Sequence, residues 1–116
     1  MNYLKMVEDI LEIFSIDVKR QGAQDFVEFV VLIAAERLKN PQKLCASDVL
    51  FDMARRRGIW YKALNSRMKW AIRPMIEADP QALLQLGIKA KKTTVAYFAY
   101  ALEGRLRNAS LQNQDC

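Results

Sequence analysis

The sequence contains no histidine, and this absence excludes Ser/His/Asp and Cys/His catalysis and the usual zinc sites by inventory. Its two cysteines, Cys45 and Cys116, stand far apart and match no metal-ligand spacing. They are too few for a disulfide scaffold and are expected as free thiols in a reducing compartment. Glycine and proline are scarce, at four and three in 116 residues, and with 52% hydrophobic and 27% charged residues they describe a folded, helix-rich chain. A long hydrophobic run is missing as well. The most apolar stretch, Phe26 to Ala35, is interrupted by Glu28 and falls well short of the roughly 20 residues that span a bilayer. Glu8, Asp9 and Glu12 lie among the first apolar residues, which a secretory signal would not tolerate. No acid/base pair or nucleophile stands in a recognisable arrangement, so neither an enzyme nor a cofactor or metal is expected. The expected location is cytoplasmic, with no membrane partner.

Acidic residues are absent from one whole segment. Between Met53 and Ile76 there are seven basic side chains (Arg55, Arg56, Arg57, Lys62, Arg67, Lys69 and Arg73) and no acid. Residues 1–52 carry six bases and nine acids, net −3, whereas residues 53–116 carry twelve and four, net +8. A solvated basic helix usually intersperses acids for i,i+4 pairing, so an acid-free stretch points to a polyanionic partner.

Periodicity predicts helices throughout. Tyr3, Leu4, Val7, Leu11 and Phe14 form one stripe on a helix ending near Ser15, and a second, nearly all-apolar helix runs from about Ala23 to Lys39 as the centre of the bundle. Asn40-Pro41 ends it. Ser47 is expected to cap a third helix that carries Asp48 in its first turn and stops at Gly58. The fourth begins near Tyr61 and places Leu64, Met68, Ala71, Ile72 and Met75 on one side. Pro74 either kinks it or ends it at Arg73 and starts a new helix. Asp79-Pro80 opens a short helix that Gly87 closes, and Thr93 or Thr94 caps the last helix, with Val95, Phe98, Ala99, Leu102 and Leu106 inward. No run alternates with period two, so no sheet is expected. The fold class is all-α, a compact bundle of about six helices over residues 1–109, with 110–116 as a disordered tail.

The third and fourth helices, joined by a short turn containing Gly58, have the pattern of a helix-turn-helix centred on residues 47–73. Ala54 is small where the two helices approach, Gly58 permits a positive φ, and Leu64 anchors the second helix to the first. At about 100° per residue, the arc opposite the core holds Lys62, Ser66, Lys69, Trp70 and Arg73, with Asn65 at its edge. Asn suits adenine, Lys and Arg suit guanine, and Ser suits either base or phosphate. Trp70 either joins this polar arc or fills the core beneath another helix. Lys91 and Lys92, just before the last helix, either bind phosphate at its amino end or form a solvated loop.

These residues resemble a known family, the C-terminal effector domain of the sporulation-initiation response regulator of endospore-forming bacteria. The resemblance runs from about Ile10 to Arg107. Ile10-Leu11-Glu12-Ile13-Phe14-Ser15-Ile16, Gly22, and then Phe26, Glu28, Val30 and Ile33 are similar to its first helix, glycine-bearing loop and long second helix. Val49 to Arg56 resembles the first element of its helix-turn-helix, Leu64 to Ile72 its recognition helix, and Lys92-Thr93-Thr94 through Phe98 with Arg105-Leu106-Arg107 its closing segment. The resemblance implies a bacterial transcription factor that binds double-stranded DNA, with self-association as tandem copies on adjacent sites. It also implies DNA contacts at Asn65, Ser66, Lys69 and Trp70. Ala63 and Ser66 stand where the family tends to place arginines, so a different target sequence is expected. No receiver domain is expected before these residues, and a phosphorylation switch is expected to be missing or to lie on another protein. The alternative expectation is a helical protein-interaction module that has kept the fold without DNA.

Overall fold

Three helices end on the same local device, and this sets the course of the chain. Ser15, Gly58 and Gly87 take left-handed φ of 61°, 65° and 78°. The isoleucine after each donates its amide to a carbonyl five residues back: Ile16 to Leu11, Ile59 to Ala54 and Ile88 to Leu83, at 2.9–3.1 Å. Each isoleucine then turns into the core, the 6→1 closure with an apolar contact that completes a helix end. The computed structural model describes residues 3–40, 42, 44–88 and 94–114, with side chains through residue 108.

Among the described residues the chain forms seven helices and no strand: α1 (Tyr3–Ile13), α2 (Gln21–Lys39), α3 (Ala46–Arg57), α4 (Tyr61–Ala71), α5 (Arg73–Ile76), α6 (Pro80–Gln85) and α7 (Val95–Gln114). The all-α bundle expected from periodicity is therefore present. Helix α2 lies at its centre and touches α1, α3, α4 and α7. Phe26, Phe29, Val30 and Ile33 of α2 are buried with Val7, Leu11, Leu50, Leu64, Met68, Phe98 and Leu102 from its neighbours. Arg37 of α2 donates to the buried Glu103 of α7 at 2.8 Å, which fixes α7 along it. None of these helices is long and apolar enough to cross a membrane.

The structure revises several local expectations. Ser47 does not cap α3. The chain already turns at Cys45, whose carbonyl accepts from the amides of Asp48 and Val49, so α3 begins at Ala46 and Ser47 lies exposed inside its first turn. Gly22 lies within α2 rather than in a loop before it. Leu4 leaves the buried stripe of α1 and is exposed at the rim of a groove with Val18, Val27 and Val31. At Pro74 the helix breaks. Ile72 closes α4, and proline sits in the first turn of α5, where its missing N–H is no loss. Asp79 caps α6 by accepting from Gln81 N at 3.0 Å, and Thr94 accepts from Tyr97 N at 3.2 Å at the start of α7. Thr93 lies outside the described residues. The backbone of α7 stays helical to Gln114, into the segment expected as a tail; no glycine or proline follows Gly104 to stop it.

Candidate nucleic-acid interface

Leu64 and Met68 point into the core and Ile72 closes the helix beneath them, so the opposite side of α4 faces solvent. Lys62, Ser66 and Lys69 are exposed there, and Asn65 is half-buried at the edge. Trp70 is 67% exposed. It belongs to the arc, and no helix among the described residues covers it. Arg73 starts α5 rather than extending α4, yet its guanidinium carbon stands 4.9 Å from the Trp70 ring centre while its Nε donates to Glu77 at 2.7 Å. Lys91 and Lys92 lie outside the described residues.

Trp70 forms a wall between two hollows. One, of about 450 Å³, is bounded by Ser66, Lys69, Arg73 and Glu77, and the other, of about 370 Å³, by Arg20, Gln21 and Arg67. Further aromatics border α4 at its amino end. Trp60 is 69% exposed with Lys62 Nζ 5.5 Å from its ring centre, and Phe51 of α3 stacks on Tyr61 at 4.1 Å.

The acid-free stretch is not a bare positive surface. Five of its seven cations are ion-paired: Arg55 and Arg56 with Asp52, Arg57 with Asp25 and Glu28, Arg67 with Asp25, and Arg73 with Glu77. Lys62 and Lys69 make no ion pair among the described residues. Their side chains stand on the two outer turns of α4 with solvent around them.

Asp25, which sequence reasoning passed over, organises the rear of this site. Its carboxylate is fully buried in α2. Oδ1 accepts from Gln21 Nε2 at 2.8 Å and from Arg57, and Oδ2 accepts from Arg67 Nε at 2.7 Å. Burial pushes the carboxyl pKa up, but the hydrogen bonds from Arg57 and Gln21 and the charges of Arg57 and Arg67 outweigh it, leaving it below the ordinary value. A carboxylate among apolar residues, with two arginines lacking acids in their own segment, was the available signal. In comparisons with known proteins, no family model, curated sequence or solved structure matches the chain.

Proposed function

We propose that this protein binds double-stranded DNA through α4 as a sequence-specific transcription regulator. The observation that carries the reading is the uncovered face of α4, where Lys62, Ser66, Lys69 and Trp70 stand exposed on a helix seated by a short turn against α3. An α-helix of this width fits the major groove, and Lys, Ser and Asn side chains can bond base edges there. The likeness to the sporulation effector family assigns Asn65, Ser66, Lys69 and Trp70 to DNA, and tandem copies on adjacent sites belong to the same proposal. A cytoplasmic location follows from it.

The experiment is selection of bound sites from random duplexes, followed by titration at several salt concentrations. If about five phosphates are contacted, log K falls with log[salt] at a slope of roughly −4 to −5. No enriched site together with no duplex affinity at low salt overturns the reading. A second reading, a protein-interaction module, is favoured by the ion pairing of five of the seven cations and by exposed Phe51, Trp60 and Trp70. It predicts indifference to duplex DNA at every salt concentration.

A further inference from the structure

Arg67 is held twice. Its guanidinium donates to the buried Asp25, and its carbonyl packs against Gly22, where a Cβ would stand 2.5 Å from the oxygen. Gly22 and Asp25 are three residues apart on one face of α2, so a single patch of that helix grips both the backbone and the side chain of one residue of α4. Arg57, at the end of α3, binds the same carboxylate. One buried anion thus ties the carboxyl end of α3 to the body of α4 across the turn.

The chemistry of this arrangement is restrictive. A buried carboxylate is tolerated only with its partners in place, and directional, charge-assisted hydrogen bonds fix orientation in a way that sliding apolar contacts do not. Arg67 follows Ser66 directly and precedes Lys69 and Trp70 by two and three residues. Holding Arg67 therefore sets the rotation of α4 about its axis and so the direction of the whole outer arc. The same bonds occupy Arg67, at 43% side-chain exposure beside that arc, which would otherwise be free to meet phosphates, whereas Arg57 is held by Glu28 as well.

We infer that Asp25 is a positioning residue for selective DNA reading: it sets the rotation of α4 and withholds Arg67 from nonspecific phosphate contact. This rests on the DNA-binding reading above. Phosphate contacts bind all sequences alike whereas base contacts discriminate, so withholding an arginine raises the ratio of specific to nonspecific affinity.

The test uses the full chain with Asp25→Asn, titrated on a selected duplex and on its scrambled counterpart, with hydrogen exchange of the free protein beside it. Affinity for the selected duplex is expected to fall about tenfold, the size of one lost base contact. Affinity for the scrambled duplex holds or rises, and the salt slope steepens by about one as Arg67 is released. Exchange of α4 amides accelerates relative to α7 amides. Equal loss on both duplexes with uniform exchange in every helix overturns the inference and leaves Asp25 a structural residue. Should Asp25→Asn fail to fold, Asp25→Leu with Arg67→Met substitutes apolar side chains for this ion pair and leaves Arg57 on Glu28, an exchange that folded proteins accept. Its selectivity is expected to drop about tenfold, and a folded double variant with unchanged selectivity overturns the inference. A wild-type protein with no duplex affinity overturns the DNA-binding reading instead, and the exchange pattern then decides the seating of α4 alone.

Discussion

A Cβ placed on Gly22 would stand 2.5 Å from the carbonyl oxygen of Arg67 and 2.9 Å from Ala71 Cβ, so α2 and α4 meet backbone to backbone. Alanine is favoured over glycine within a helix by about 1 kcal/mol, whereas overpacking a close contact costs about 1–3 kcal/mol. The obstructing atom is backbone and cannot swing aside, so overpacking wins. Gly22→Ala is expected to lower stability by on the order of 1 kcal/mol or more in urea unfolding. A variant as stable as the parent would show that the two helices are not seated this closely.

Leu64 is fully buried where α4 meets the core. Leu64→Ala removes apolar contact and leaves a cavity, and the expected loss is roughly 2–5 kcal/mol. Thermal melts compare the two proteins. An unchanged melt would mean that α4 does not dock through this side chain.

The acid limb of stability should carry the signature of Asp25. Its folded-state carboxyl titrates below the ordinary value of 3.8, so as pH falls the unfolded chain takes up the proton first. The stabilisation is complete above the ordinary value and is lost as pH descends through the folded one. Melts of the parent between pH 5 and 2.5 should therefore fall more steeply than those of Asp25→Asn, in which that carboxyl is gone. Parallel curves would mean that Asp25 gains nothing from Arg57 and Arg67.

Base contacts and phosphate contacts on the proposed DNA face should fail differently. Asn65→Ala and Lys69→Ala are expected to lose roughly 1–3 kcal/mol on the selected site and much less on a scrambled duplex. Lys91→Ala and Lys92→Ala are expected to weaken all duplexes by similar factors and to make the salt slope shallower by about one each. Titrations of the four variants on both duplexes separate the two classes. Equal losses throughout would reduce the protein to a nonspecific DNA binder.

What the sequence determined by itself was whatever a helix decides within a few residues. The break at Gly58, the Asp79-Pro80 start, the end at Gly87 and the inward faces of α4 and α7 are set by backbone conformation, capping and a period of about 3.6. The exposed arc of Lys62, Ser66 and Lys69 follows from that same period. Tertiary structure decided the rest. Asp25 meets Arg57 and Arg67 from 32 and 42 residues away, and such partners become neighbours only when α2, α3 and α4 dock. Docking also left Trp70 uncovered when its composition suited a core equally well, and it turned an acid-free basic stretch into one whose charges are largely matched. Electrostatic partners and solvent exposure belong to the distance between helices. No local rule along one helix contains that distance.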